Sequence, residues 1–181
     1  MSERSPTDEL RAEHDVAFAK MDSLADAVAR LQRSEADRSA DVGEGADACA
    51  AEVQRALLLH FRKEEEGLFP DVLSVVSRGA PRVDILSHFF GGEADDDLKA
   101  HALLRGRLKD VRGLLDEAAQ AGQLDRAAAA RLDTLVGLTK DLLGRHAKKE
   151  HELVFPMIER LLDEPQMAAV RERMREISKA Q

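Results

Sequence analysis

Four histidines and two glutamates stand at spacings that could bring them together. His60 precedes Glu64 by four residues, and His146 precedes Glu150 by four. Residues i and i+4 of a helix share a face, one turn apart, so each pair points one way. Both pairs belong to an internal repeat. His60-Phe-Arg-Lys-Glu-Glu-Glu-Gly-Leu-Phe-Pro70 aligns with His146-Ala-Lys-Lys-Glu-His-Glu-Leu-Val-Phe-Pro156, identical at six of eleven positions with an offset of 86 residues. His14 and His101, 87 residues apart, fall nearly in step with it. The repeating unit is therefore a helical hairpin: one histidine on its first helix, then His-x-x-x-Glu on its second.

All six side chains lie on the apolar stripes of their segments. Four imidazoles and two carboxylates would then share an interior, where an ionised carboxylate must be paired or bound to metal. Imidazole with carboxylate suits iron, zinc and similar divalent ions and rules against a soft thiolate site. The donor count suggests two ions. Of about twelve positions on two octahedral ions, four imidazoles, two bridging carboxylates and an oxo or hydroxo bridge fill all but about two, open to a small ligand such as dioxygen.

The elements that must position this set read as helices. A first helix starts near Ser5-Pro6-Thr7, a capping serine with proline at the first turn. Leu10, His14, Ala17, Met21, Leu24, Val28 and Leu31 recur along it at helical spacing. Residues 34–45 read as a connection. A second helix covers about 46–69, and Pro70 kinks or stops it. Residues 77–97 look irregular, with an apolar piece over 83–90 and a break at Gly91-Gly92. A third helix follows from about Glu93 to Ala121, closed by Gly122. A fourth runs from about Asp125 to Leu162, and Asp163-Glu164-Pro165 starts a short last one. The rise of the helix puts His101 about 30 Å and His146 about 33 Å from the turn near residue 122, so the two come out level. The expectation is an all-α fold: an antiparallel up-down four-helix bundle of pseudo-two-fold repeated hairpins with an additional short C-terminal helix. It would form one domain over 1–181, with the bundle core at about 8–162 and the last helix at 163–181.

Composition narrows the rest. The chain has 181 residues, 27 basic and 35 acidic side chains, a net charge of −8, and neither Trp nor Tyr. Helix formers dominate. The acidic balance argues against nucleic acid and anionic membrane as partners. No apolar run approaches the ~20 residues of a membrane span, and the opening Met-Ser-Glu-Arg-Ser-Pro has no signal core. The lone Cys49 excludes an intrachain disulfide framework and reads as a small buried hydrophobe. A cytoplasmic location is expected.

The Glu-x-x-His arrangement of ferritin-type centres runs the other way round. His14, His60-x-x-x-Glu64, His101 and His146-x-x-x-Glu150, with Leu-Phe-Pro or Val-Phe-Pro after each pair, resemble instead the hemerythrin-like HHE cation-binding family, over about residues 8–162. The resemblance implies a bundle holding two iron ions cycling between Fe2+ and Fe3+, with an oxo or hydroxo bridge, although other divalent metals fit the donors. Members bind dioxygen reversibly, sense oxygen or iron, respond to nitric oxide or peroxide, or help repair iron–sulfur centres. Oxygen carriers have a fifth histidine one turn before that of the third helix. Asp97 stands there, which makes it an additional candidate ligand and sets carrier chemistry aside. The repair members carry an N-terminal cysteine-containing segment, and none precedes the bundle here. His88 is a further candidate ligand, if the break at Gly91-Gly92 folds it back. The reading is thus a sensor, store or scavenger of dioxygen or a related small oxidant. The alternatives are an enzyme consuming peroxide or nitric oxide, and a metal-regulated helical interaction module whose protein partner the sequence does not name.

Overall fold

The computed structural model describes residues 4–33, 40–77, 83–122 and 124–180, and within these the side chains of 32–33, 40–44 and 83–95 are not among those described. The described residues form helices and no strand: α1 (Pro6–Arg33), α2 (Ala40–Arg62), a π-helical turn π1 (Lys63–Leu68), α3 (Phe69–Ser77), α4 (Val83–Ala121), α5 (Arg126–Lys149), a second π turn π2 (Glu150–Val154), α6 (Phe155–Leu161) and α7 (Glu164–Lys179). This is an all-α helical bundle.

Several boundaries differ from those the sequence suggested. The second helix begins at Ala40 and does not stop at Pro70. The third begins at Val83, so 83–97 is helical and Gly91-Gly92 lies inside a 39-residue helix. Glycine costs about 1 kcal/mol in a helix interior relative to alanine, and the helix runs through both glycines. The fourth helix is interrupted by π2, which the sequence did not suggest.

The end signals are local. Ser5 Oγ accepts from Asp8 N at 3.1 Å, with Pro6 opening α1. Gly122 takes φ 66° after α4, a left-handed turn that suits glycine. Asp125 caps α5 through Ala128 N at 2.7 Å. Asp163 and Gln166 form a reciprocal capping box at α7.

The chain divides into two compact units. One comprises 15–57 and 102–144. Its core holds Met21, Leu24 and Val28 of the stripe read along the first helix, with Val53, Leu57, Leu104, Leu108, Val111, Leu132, Val136 and Leu143 also buried. Polar contacts join its helices as four neighbours in a ring. Lys20–Glu52 at 2.7 Å links α1 to α2, and Arg112–Asp47 at 2.9 Å links α4 to α2. Lys140–Asp22 links α5 to α1, and Arg107 donates from α4 to the Leu138 carbonyl of α5.

The other unit comprises 1–14, 58–101 and 145–181. Leu10, Leu68, Phe69, Val72, Val154, Phe155, Ile158, Leu162, Met167, Val170 and Met174 form its apolar cluster. Here α7 packs on π1, and α3 packs on α6. Gly67 permits the first contact, because a Cβ at that position would come within 3.0 Å of Met174 Cγ.

The π turns follow from Phe-Pro. Phe69 N donates to Glu64 O, and Phe155 N to Glu150 O, five residues back. The next residue is proline in each case. Proline has no N–H, and in a regular helix its ring clashes with the carbonyl four residues earlier. One extra residue in the turn moves that carbonyl aside and lets the helix continue.

Candidate metal centre

The six candidate residues all belong to the second unit. His14 comes from α1, His60 from α2, Glu64 from π1, His101 from α4, His146 from α5 and Glu150 from π2. Their side chains are fully or almost fully buried, His146 being the most exposed at 4%. The structure brings them together. Glu64 faces two imidazoles with two oxygens: Oε1 is 3.4 Å from His60 Nε2, and Oε2 is 3.2 Å from His101 Nε2. Glu150 Oε2 is 3.1 Å from His14 Nε2 and 3.4 Å from His146 Nε2. Each carboxylate thus meets a histidine of its own helix and one of the opposite hairpin. Two sets of donor atoms lie within 4.8 Å of one another: His14, His60, His146 and Glu150, and Glu64, His101, His146 and Glu150. The rings pair as His14 with His60, centroids 4.3 Å apart, and His101 with His146, 4.8 Å apart.

The outward nitrogens of His60, His101 and His14 have hydrogen-bond partners of their own. His60 Nδ1 lies 3.1 Å from Glu13 Oε2, and Glu13 Oε1 also binds the buried ammonium of Lys63, which reaches Glu9 at 2.6 Å. His101 Nδ1 lies 2.8 Å from Glu65 Oε1. His14 Nδ1 lies 2.9 Å from His151 Nε2. A carboxylate only accepts, so the protons of His60 and His101 are on Nδ1 and point outward. Their Nε2 lone pairs therefore face the lone pairs of Glu64 in the buried interior.

A cation fits that arrangement, in which His101 Nε2 also lies 3.2 Å from His146 Nε2. Apart from a proton the two carboxyls can share, no hydrogen bond of sound geometry from the described residues reaches either oxygen of Glu64 or Glu150, or Nε2 of His60. Burial pushes Glu64 well above the usual carboxylate range, and the charge of Glu150 beside it pushes the same way. Burial pushes Glu150 up to about 8, after a proton on Glu64 and the ammonium of Lys149 have pulled it part of the way back. His60 and His146 are held well below the ordinary histidine value, first by burial and then by neighbouring imidazoles. His60 and His146 are thus neutral, as metal ligands must be.

The additional candidates fall differently. Asp97 is buried beside the cluster, its Oδ1 3.8 Å from His146 Nδ1 and 3.4 Å from Lys149 Nζ. It stands on the outer side of His146, outside both sets of converging donors. His88 lies in α4, where its side chain is outside the described residues. Spacing alone points to neither Glu13 nor His151, since a straight helix turns His151 ~100° from Glu150. The signal for such residues is general: a buried ligand histidine needs an acceptor for its second nitrogen.

The model of the Hemerythrin HHE cation binding domain matches residues 5–158. The chain belongs to that family, and its domain is a metal-binding one. No curated protein matches the chain. The matched stretch ends within α6, so α7 lies beyond it.

Proposed function

We propose that the protein holds a non-haem di-iron centre and binds dioxygen or a related small oxidant as a sensor, store or scavenger. The observation that supports this most directly is the convergence of imidazole Nε2 lone pairs and carboxylate oxygens among buried side chains, with the Nδ1 protons of His60 and His101 held outward by carboxylates. In this reading His14, His60, His101 and His146 would hold the two ions together with Glu64 and Glu150. Iron would supply one-electron changes and open coordination positions for the small ligand.

The chain's own residues do the rest. The carboxylates offset cationic charge in a place where water cannot. Phe61 lies flat on the His101 ring, 4.0 Å away at 21°, and Phe155 stacks along His14 at 6.2 Å and 24°. Both rings keep bulk water from the imidazoles and fix their planes. Asp97 is a supporting residue in this reading: it faces the outer nitrogen of His146 while Lys149 balances its charge.

The test is metal analysis of the purified protein with absorption spectra before and after anaerobic reduction and re-exposure to air. Two irons per chain, with charge-transfer bands that bleach on reduction and return in air, are the expected result. Zinc or no metal at intact stability, with a featureless spectrum, would overturn the redox reading. Catalytic consumption of added peroxide or nitric oxide would move the assignment from binding protein to enzyme.

A further inference from the structure

A proline inside a helix removes one donor from the hydrogen-bond ladder. Pro70 and Pro156 do so six residues after the converging glutamates. In the first repeat that weak point is bridged from outside. Arg173 of α7 donates to the Gly67 carbonyl, before Pro70, at 3.1 and 3.3 Å, and pairs with Asp71, directly after it. One guanidinium thus ties π1 to α3, and its planar fork suits two acceptors at once. The aligned positions of the second repeat are Leu153 and Met157, which offer neither a small residue nor a carboxylate.

The approach is close because residue 67 is glycine. A Cβ there would lie 3.0 Å from Met174 Cγ and 3.5 Å from Ile177 Cδ1. Met167, Val170, Met174 and Ile177 recur along α7 at helical spacing and are all buried. Arg171 adds a tie of its own, donating to the Arg4 carbonyl at 3.2 Å. Gly67 follows Glu64 by three residues and Glu65 by two, within the same six-residue turn. Glu64 turns both oxygens to imidazoles, and Glu65 meets Nδ1 of His101 at 2.8 Å. A displacement of π1 would therefore move both carboxylates together. Metal binding is sensitive to such shifts, because the residues that orient ligands are worth about 10- to 100-fold in affinity.

We infer that Arg173 is a positioning residue for Glu64, acting through Gly67, so that docking of α7 on π1 and binding of metal at the centre strengthen each other. The reciprocity is obligatory: if docked α7 raises metal affinity by some factor, bound metal stabilises the docking by the same factor. The inference rests on the reading of Glu64 as a metal ligand.

The experiment is a Co2+ titration of the metal-free full-length protein, followed by visible absorption with folding checked by circular dichroism. Amide hydrogen exchange of the wild type with and without Co2+ accompanies it. Arg173→Ala should weaken Co2+ binding by about 10-fold or more. Arg173→Lys, which keeps the charge and a donor, should recover part of that loss. Leu132→Ala, a cavity in the core of the other unit, should lower stability and leave the affinity of the folded protein unchanged. Co2+ should slow exchange of the amides along α7 by about 10-fold or more. Unchanged affinity in Arg173→Ala would overturn the inference, as would an equal loss in Arg173→Lys or in Leu132→Ala, or α7 exchange unmoved by Co2+. The exchange measurement needs no variant, so it decides the question even if Arg173→Ala fails to fold. No Co2+ on the folded wild type would instead sink the metal reading itself.

Discussion

A histidine that offers one nitrogen to a metal must settle the proton on the other. In this chain Glu13 settles it at His60 and Glu65 at His101, while His14 shares its outer nitrogen with the ring of His151. His60→Ala with His146→Ala removes one imidazole from each pair and leaves Glu64 and Glu150 buried with half their partners. Metal content should fall below one ion per chain while the helical circular dichroism persists at lower temperature; full metal content would refute the site. The carboxyls also set a pH dependence. Glu150 in the metal-free fold titrates near 8 against about 4.3 in an unfolded chain. Between those values the folded form binds more protons, so the metal-free protein loses stability as pH rises. The lowered histidines act oppositely, but only below their ordinary value of about 6.5. From about pH 6.5 to 8 the carboxyls act alone, so the melting temperature of the metal-free protein should fall across that window. Metal uptake there should release protons, and the loaded form should show no such fall. A flat profile for the metal-free form would contradict the geometry.

At the scale of elements the π turns matter most. Helical periodicity showed that His60 and Glu64 share a face, and the Phe-Pro that follows was visible in both repeats. Its effect was not, because a wide turn depends on how the chain reconciles a proline with the helix behind it, and no spacing rule records that. The same limit hid the helical course of α4 through Gly91-Gly92, where the context overrides local propensity. Docking of α7 on π1 is tertiary too. Arg173 donates to the Gly67 carbonyl at 3.1 and 3.3 Å and pairs with Asp71, so α7 supports the turn that carries Glu64 and Glu65. Arg173→Ala should cost about 1–2 kcal/mol by leaving that carbonyl without its donor. Gly67→Leu should cost about 1–3 kcal/mol by displacing Met174. Urea unfolding would measure both, and an unchanged midpoint for Gly67→Leu would show that α7 is not seated there.

For the whole molecule, bound metal should stabilise the native state because the unfolded chain lacks a preformed site. Chelation should therefore lower the melting temperature by several degrees or more, and re-addition should restore it; a melting temperature indifferent to chelation would separate the fold from the centre. The unit that holds the six side chains is drawn from three stretches, 1–14, 58–101 and 145–181. Each hairpin contributes a histidine from its first helix and a His-x-x-x-Glu pair from its second. Cut between them, either half would keep three of the six side chains and lose the partner, His151 or Glu65, that meets its first histidine from across the centre. A lone hairpin could complete the set only by meeting a second copy of itself. The repeat thus reads as a two-chain assembly written into one gene, and the divergence of Glu65 from His151 is a step that only the fused form, whose halves vary independently, can take.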